Sequence, residues 1–128
     1  KRAKELMTEG GSIITLTYRG SMKVYPGYNI MGVAKAALEA SVRYIAHELG
    51  SNNIRVNAIS AGPVKTMSAK GVKNFSDILG IVEEKSFLKR NVTLEDLGGA
   101  SVFLLSDLSS GMTGEVLYID AGYNNMGL

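Results

Sequence analysis

The 128-residue chain is 45% hydrophobic and 20% charged, a composition typical of folded rather than disordered chains. Its net charge of +2 is spread without a long basic run, which argues against nucleic acid or an anionic membrane as the main partner. The absence of cysteine excludes disulfides and thiolate metal sites, and no apolar run approaches the ~20 residues that span a bilayer. We therefore expect a cytoplasmic protein without a metal site.

The first predicted elements alternate strand, helix and strand. Apolar, β-branched runs predict strands at Ser12 to Thr17 and at Ile54 to Ser60. Between them, an alanine-rich segment from about Ile30 to Leu49 predicts a helix with little polar surface. Such a helix is expected to be buried on several sides, and a subunit contact would provide that burial. A proline-glycine pair ahead of the helix predicts a turn.

Two further elements are predicted toward the end of the chain. Within Thr113 to Gly122, Val116, Tyr118 and Asp120 alternate with Leu117 and Ile119, and this nearly continuous apolar run predicts a strand buried on both faces. Before it, Thr93 is the predicted N-cap of another helix. The apolar face of that helix is expected to contain Leu97, Ala100, Val102, Leu104 and Leu105.

Two tyrosines and a lysine flank the first strand–helix junction. Tyr18 follows the strand, Tyr28 follows the proline-glycine turn, and Lys35 lies seven residues after Tyr28. Seven residues are roughly two helical turns, about 20° short of alignment, so Tyr28 and Lys35 can share one ligand. Each also has a structural interpretation, Lys35 as the partner of Glu39 in a surface ion pair and the tyrosines as aromatic anchors. The combination of two tyrosines and a lysine at one junction favours a catalytic or ligand-binding role for the three residues.

The stretch from Gly11 to Lys35 resembles the active-site segment of the short-chain dehydrogenase/reductases. Ordinary members have a tyrosine four residues before the lysine and a serine thirteen before that tyrosine, but here those positions hold Met31 and Tyr18. The pattern of Tyr18, Tyr28, Met31 and Lys35 instead resembles the divergent branch, the bacterial enoyl-acyl-carrier-protein reductases. This resemblance implies an α/β fold, namely the C-terminal half of a doubly wound Rossmann-type parallel sheet flanked by helices.

The resemblance also implies that residues 1–128 are the C-terminal part of a single dinucleotide-binding catalytic domain. A dinucleotide site of this type begins with a Gly-rich turn between the first strand and helix. Gly10-Gly11 precedes a strand and Gly98-Gly99 lies inside a helical pattern, so neither pair fits such a turn. We therefore expect the N-terminal half, with its Gly-rich loop, to be absent.

A second segment, from Arg55 to Thr66, is predicted to form a strand and then a loop. Ordinary relatives have Pro-Gly where this chain has Ala61-Gly62, and the Ser-Ala-Gly-Pro order resembles the enoyl reductases. The resemblance implies that the Val64 backbone meets the nicotinamide carboxamide and that Thr66 meets cofactor phosphate, whereas an ordinary strand exit is the structural alternative. The implied cofactor-binding residues are Lys35, Ala61, Gly62, Pro63, Val64, Thr66, Met67 and Ser68.

The segment from Met67 to Phe75 mixes small, flexible and apolar residues and is interpreted as a mobile lid. In the enoyl reductases the matching region covers the acyl chain, while an ordinary amphipathic surface helix is the structural alternative. The implied substrate-binding residues are Tyr18, Tyr28, Met31, Met67, Ala69, Val72 and Phe75.

The implied reaction reduces a trans-2-enoyl thioester carried on acyl carrier protein in fatty acid biosynthesis, with NADH, or alternatively NADPH, as the hydride donor. Tyr18, Tyr28 and Lys35 are the implied catalytic residues. Tyr28 is expected to donate a hydrogen bond to the developing enolate oxygen, and Lys35 is expected to bind the nicotinamide ribose. Tyr18 is expected to orient substrate or to take part in catalysis. The family also implies a bacterial homotetramer.

Two alternatives remain at this stage. One is a 3-oxoacyl or other carbonyl reductase of the same superfamily, which Met31 and Tyr18 disfavour because they replace the ketoreductase tyrosine and serine. The other is a noncatalytic assembly fragment that retains the oligomer-forming helix without a complete cofactor site. An assay with enoyl and 3-oxoacyl thioesters distinguishes the three.

Overall fold

Three parallel strands with helices packed against them form the part of the chain that the structure describes. The structure is a computed structural model and describes residues 2–67 and 75–127. In chain order the elements are α1 (Arg2–Leu6), β1 (Gly11–Thr17), α2 (Ile30–Gly50), β2 (Ile54–Ala61), α3 (Phe75–Lys85), α4 (Leu94–Leu105) and β3 (Val116–Ile119). Short 3-10 turns lie at Arg19–Ser21, Asp107–Ser109 and Tyr123–Asn125. The predicted strands β1 and β2 and the helix between them are confirmed.

The sheet has the order β1-β2-β3, with both neighbouring pairs parallel. In register, Gly11 is opposite Ile54 and Thr17 is opposite Ser60, while Ala61 is opposite Ile119. Parallel neighbours need a crossover connection, which α2 provides between β1 and β2, and α3 with α4 between β2 and β3. The carboxyl ends of all three strands therefore meet at one edge of the sheet.

The central strand β2 is buried because helices cover both of its faces. On one face Val56 and Ala58 pack with the inner side of α2, where Val42 and Ala46 are 2% and 4% exposed. On the other face Ile59 is fully buried and α4 packs against β1 and β2. Alternate residues of a strand point to opposite faces, so a strand covered on both sides is a nearly continuous apolar run.

Two polar side chains of β2 fix the connection between α4 and β3. The Asn57 amide donates to the Met112 carbonyl at 2.9 Å and accepts from the Glu115 N–H at 3.1 Å. The Arg55 guanidinium donates to the Ser109 hydroxyl at 2.8 Å and to the Ser106 carbonyl at 2.9 Å. Because these buried donors and acceptors are satisfied, the polar residues of β2 stabilise the fold rather than mark a site.

Two sequence predictions about burial were wrong. Leu104 of α4 is fully buried, but Val102 and Leu105 are 67% and 51% exposed. At about 100° per residue, Val102 and Leu104 lie roughly 200° apart, so one face cannot contain both. Strand β3 is half-buried rather than buried on both faces, because it lies at the edge of the described sheet.

Helix α3 was not predicted from the sequence. It buries Leu79 and Val82, which lie three residues apart and so project from neighbouring positions on one face. This amphipathic helix begins at Phe75, the last residue of the predicted lid. Within residues 2–67 and 75–127, no helix is long and apolar enough to cross a membrane.

Candidate active site

A cavity of about 590 Å³ opens where the chain leaves β1 and β2. Thr17 and Tyr18 border it at the end of β1, and Gly62 and Pro63 border it at the end of β2. The register of the parallel strands places these two exits side by side. In open α/β sheets, ligands bind outside the carboxyl ends of the strands, so this cavity is the candidate active site.

Tyr18 and Tyr28 contact each other at the cavity. Their ring centroids are 5.3 Å apart and the ring planes meet at 64°, an edge-to-face arrangement that stabilises aromatic pairs. Burial raises the pKa of both phenols, and for Tyr18 the neighbouring tyrosines raise it further. Both hydroxyls are therefore protonated at neutral pH, so they act as hydrogen-bond donors rather than as bases.

The predicted proline-glycine turn delivers Tyr28 to this position. The Tyr28 N–H donates to the Tyr25 carbonyl at 3.0 Å, which closes a four-residue turn around Pro26 and Gly27. Gly27 has φ of +84°, the left-handed conformation that a type II turn requires at its third residue. The turn prediction is confirmed. The turn also brings a third tyrosine, Tyr25, to the same cavity.

Two glycines leave room for the Tyr28 ring. A Cβ on Gly20 would lie 2.5 Å from the ring of Tyr28 and 3.2 Å from the ring of Tyr18. A Cβ on Gly32, in the first turn of α2, would lie 2.7 Å from the Gly20 carbonyl oxygen. The Arg19–Ser21 turn can therefore approach α2 and the tyrosines only because both residues lack side chains.

Lys35 extends toward the end of β1 and does not pair with Glu39. Its ammonium group donates to the Leu16 carbonyl at 3.0 Å, whereas the Glu39 carboxylate is 6% exposed and accepts from the Thr17 hydroxyl at 2.7 Å. Within the described residues the only ion pair joins Arg90 and Asp96. The structure therefore does not contain the surface ion pair that was the structural interpretation of Lys35.

The loop after β2 is held against the end of β3. The Gly62 N–H donates to the Ile119 carbonyl at 2.8 Å, and a Cβ on Gly62 would lie 3.1 Å from the Asp120 backbone and 3.2 Å from Val92. Pro63 is buried and Val64 is half-buried. A side chain at Gly62 would therefore be in tight contact with the end of β3. The predicted cofactor contacts of Ala61 to Met67 stay predictions. Ser68 lies outside the described residues.

The apolar wall of the cavity comes mostly from α3. Phe75, Ile78, Ile81 and Val82 border the cavity, and substrate contact by Phe75 stays a prediction. Met31 and Met67 are 48% and 79% exposed, and neither borders the described cavity. Ala69 and Val72 lie outside the described residues. Substrate contact by the two methionines, Ala69 and Val72 stays a prediction.

Sequence reasoning missed Tyr25 and Tyr123. Both border the cavity, and the Tyr25 ring centroid is 5.4 Å from that of Tyr18. The Tyr25-Pro26-Gly27-Tyr28 string was a signal for Tyr25, because a closed turn brings its first and last residues together. Tyr123 follows β3, and only the sheet order brings it to Tyr18. Within the described residues, no group of three or more potential metal ligands comes together.

A parallel α/β sheet with two tyrosines and a lysine at its carboxyl edge is the arrangement expected for the short-chain dehydrogenase/reductase class of Rossmann-type folds. The family model described as "Enoyl-(Acyl carrier protein) reductase" matches residues 1–124. The chain belongs to this family.

Curated relatives agree with this assignment. The chain is 59% identical over 127 residues to the enoyl-[acyl-carrier-protein] reductase [NADH] FabI of Rickettsia typhi, covering 99% of the chain and 49% of the relative. It is 60% identical over 126 residues to the enzyme of the same name from Nostoc, covering 98% of the chain and 49% of that relative. The chain spans about half the length of the curated relatives it matches.

Solved structures share the fold. The Bacillus cereus enoyl-acyl carrier protein reductase, crystallised with NADP+ and indole naphthyridinone, has a TM-score of 0.96 and 57% identity, covering 98% of the chain and 49% of that structure. The Anaplasma phagocytophilum enoyl reductase in complex with NAD has a TM-score of 0.92 and 54% identity, covering 99% of the chain and 46% of that structure.

Proposed function

We propose that the full-length protein is an NADH-dependent enoyl-acyl-carrier-protein reductase of fatty acid biosynthesis. The observation that carries this proposal is the contact between the Tyr18 and Tyr28 rings, 5.3 Å apart at the cavity, with a methionine in the ketoreductase tyrosine position. Relatives with the enoyl reductase name, which are 59% and 60% identical over the aligned residues, support the same activity. The substrate is a trans-2-enoyl thioester on acyl carrier protein.

Tyr28 is the proposed donor to the substrate carbonyl. Hydride addition at the β carbon moves negative charge to the thioester oxygen, and a fixed hydroxyl donor stabilises that charge. Burial raises the pKa of Tyr28, so the phenol stays protonated while it donates. Protonation of the α carbon then completes the reduction. Tyr18, against the Tyr28 ring, orients the thioester.

Lys35 and the loop after β2 are the proposed nicotinamide-binding elements. A bound NADH supplies the hydride. The Lys35 ammonium is already held at the end of β1 by the Leu16 carbonyl, so its remaining N–H groups are available to ribose hydroxyls. At the end of β2 and in the loop after it, Ala61, Gly62 and Pro63 border the candidate active-site cavity, where the Gly62 N–H bonds to the Ile119 carbonyl. We assign further cofactor contacts to Val64, Thr66, Met67 and Ser68.

The cavity suits an acyl chain. Four apolar residues of α3 border it, namely Phe75, Ile78, Ile81 and Val82. A volume of about 590 Å³ lies in the range of small-molecule sites, roughly 300–1,000 Å³. We assign the remaining apolar contacts to Met31, Met67, Ala69 and Val72.

We also propose a cytoplasmic homotetramer. The outer side of α2 is apolar and exposed, including Val33 at 64%, Tyr44 at 79% and Ile45 at 42%. The outer side of α4 exposes Val102 and Leu105. Two helices with apolar outer faces, one on each side of the sheet, fit subunit contacts better than solvent.

The direct test is NADH and NADPH oxidation by the full-length protein, with crotonyl thioester and acetoacetyl thioester compared in one assay. We expect preference for crotonyl thioester and for NADH. Preference for acetoacetyl thioester would identify a carbonyl reductase instead. If the protein binds NADH but reduces neither substrate, the proposed activity is wrong.

A further inference from the structure

The turn that follows β3 forms part of the cavity wall through Tyr123. Tyr123 begins the 3-10 turn Tyr123–Asn125, is half-buried, and borders the candidate active-site cavity together with Tyr18 and the apolar residues of α3. A wall residue limits the size of a bound group only if its side chain is held in place, because a free side chain can change rotamer and leave the cavity. The contacts of Tyr123 therefore bear on which substrates the cavity accepts.

Asp120 fixes the backbone of this turn. Its carboxylate accepts from the N–H groups of Gly122 at 3.0 Å and Asn124 at 2.7 Å, and the residue is only 7% exposed. Gly122 has φ of +82°, and a Cβ there would lie 2.8 Å from Phe87, so the turn also lies close against the segment after α3. These contacts set the shape of the turn, but none of them engages the Tyr123 ring.

Arg19 engages Tyr123 at two points. Its guanidinium donates to the Tyr123 carbonyl at 2.9 Å, and its Cζ lies 4.6 Å from the centroid of the Tyr123 ring. A guanidinium within about 6 Å of an aromatic centroid is attracted to the face of the ring, and the hydrogen bond to the carbonyl keeps it there. One side chain, from the turn that directly follows Tyr18, thus joins the exit of β1 to the exit of β3.

The other surroundings of Arg19 agree with this role. Its guanidinium forms no ion pair within the described residues, where the one ion pair joins Arg90 and Asp96. Arg19 is half-buried, and its Nε has no hydrogen-bond partner in the described part of the chain. A buried donor without a partner costs free energy, so the contacts with Tyr123 have to offset that cost.

We propose that Arg19 is a positioning residue that sets substrate size: it holds the Tyr123 ring in the cavity wall and thereby restricts the length of the acyl group that the cavity accepts. This inference rests on the proposed function. Arg19 does not border the cavity itself, so it acts through Tyr123. Without the guanidinium, the ring is free to turn outward and the cavity widens.

The first test compares kcat/KM for crotonyl thioester and for trans-2-dodecenoyl thioester in the full-length protein. Arg19→Met keeps an unbranched side chain but removes the charge and the donors. We expect it to shift the ratio of the two kcat/KM values toward the longer substrate by about threefold to tenfold, the size expected for loss of one cation–π contact and one hydrogen bond. Arg43→Met, at an exposed position of α2, should keep the wild-type ratio. An unchanged ratio in a folded Arg19→Met protein would overturn the proposal.

Further variants separate positioning from general damage. Arg19→Lys retains a charge that can lie over the ring, so its ratio should stay closer to wild type than that of Arg19→Met. Tyr123→Ala removes the ring and should shift the ratio in the same direction. Because Arg19 acts through the Tyr123 ring, adding Arg19→Met to Tyr123→Ala should produce no further shift. The same shift from Arg19→Met in both backgrounds would contradict the proposal. If Arg19→Met does not fold, Arg19→Gln takes its place, since an amide can still donate to the carbonyl but carries no charge.

A second test needs no activity. In full-length protein labelled with ¹³C at tyrosine Cζ, the Tyr123 resonance is assigned by its loss in Tyr123→Phe. We expect Arg19→Met to shift that resonance and Arg43→Met to leave it in place. A wild-type protein that reduces neither thioester would remove the proposed function and this inference with it. An active wild type, combined with an unchanged ratio or an unmoved Tyr123 resonance in Arg19→Met, would overturn this inference alone.

Discussion

Tyr28 and Tyr18 differ in their surroundings, although their rings are in contact. Tyr28 enters the site from a type II turn and is held between Gly20 and α2, while Tyr18 follows β1 and its ring also contacts that of Tyr25. Substitutions at the two positions should therefore have unequal effects on the reaction.

Tyr28→Phe should lower kcat far more than it weakens NADH binding. Removing one donor from a developing oxyanion typically costs about 3 kcal/mol, which is about a hundredfold in rate. Stopped-flow or steady-state kinetics gives kcat, and fluorescence titration gives the NADH dissociation constant. Tyr44→Phe is the matched control, because Tyr44 does not border the cavity and the change keeps its ring at the proposed subunit contact. A Tyr28→Phe variant with weaker NADH binding and an unchanged kcat would contradict the assignment of Tyr28 as the hydrogen-bond donor.

Lys35→Ala should weaken NADH binding. Hydrogen bonds from a charged group contribute about 1.5–3 kcal/mol, so the dissociation constant should rise by about tenfold to a hundredfold. Calorimetric titration with NADH measures this directly. Lys85→Ala, at the exposed end of α3, should bind like wild type. Equal affinities for wild type and Lys35→Ala would refute the ribose assignment.

Gly20→Ala should impair turnover by moving Tyr28. The new Cβ would lie 2.5 Å from the Tyr28 ring, closer than such contacts occur, so the ring or the Arg19–Ser21 turn must shift. Gly80→Ala is the control, because a Cβ on Gly80 in α3 meets nothing within 4 Å and should stabilise the helix. Wild-type kcat in Gly20→Ala would show that the ring position is not critical.

The start of α4 shows how local sequence specifies an element. The Asp96 N–H donates to the Thr93 hydroxyl at 3.2 Å and the Thr93 N–H donates to the Asp96 carboxylate at 2.9 Å, a reciprocal capping box. Thr93→Ala should therefore lower the free energy of unfolding by about 1 kcal/mol, measured by urea denaturation. Ser41→Ala, at an exposed mid-helix position of α2, should change it less. An unchanged midpoint in Thr93→Ala would contradict the cap.

The same cap predicts a pH dependence. Hydrogen bonds from Arg90 and Thr93 lower the pKa of Asp96 from 3.8 to about 2. A group whose folded-state pKa is lowered stabilises the fold above the unfolded value and loses that contribution as pH falls. The stability difference between wild type and Asp96→Asn should thus be present above pH 3.8 and shrink as pH falls toward 2.

Elements with strong local signals were predictable, and elements defined by packing were not. The β-branched runs of β1 and β2 and the Thr93 cap specify their own conformations. Helix α4 has few polar residues, so its periodicity did not show which apolar side chains point inward. Tyr18, Tyr28 and Lys35 were selected by their spacing together with the family resemblance, whereas Tyr123 reaches the site only through the sheet order, which spacing does not reveal.

At the scale of the whole molecule, two apolar helix faces remain uncovered in the described structure. Val102→Asp should reduce the assembled mass of the full-length protein, because a charge at a subunit contact is desolvated without a partner. Analytical ultracentrifugation measures that mass. Val24→Asp, at a residue that is 97% exposed outside both helices, should leave it unchanged. A Val102→Asp protein of wild-type mass would exclude α4 from the interface.

Helix α2 is attached to the end of β1 at two points one helical turn apart. Lys35 bonds to the Leu16 carbonyl, and the Thr17 hydroxyl bonds to Glu39. Tyr18 follows β1 and Tyr28 precedes α2, so any sliding of the helix that would change their separation breaks both bonds. The tyrosine side of the cavity is therefore mechanically stiff. A ligand that needs a wider cavity would therefore have to displace α3, whose Ile78 and Ile81 also border the cavity.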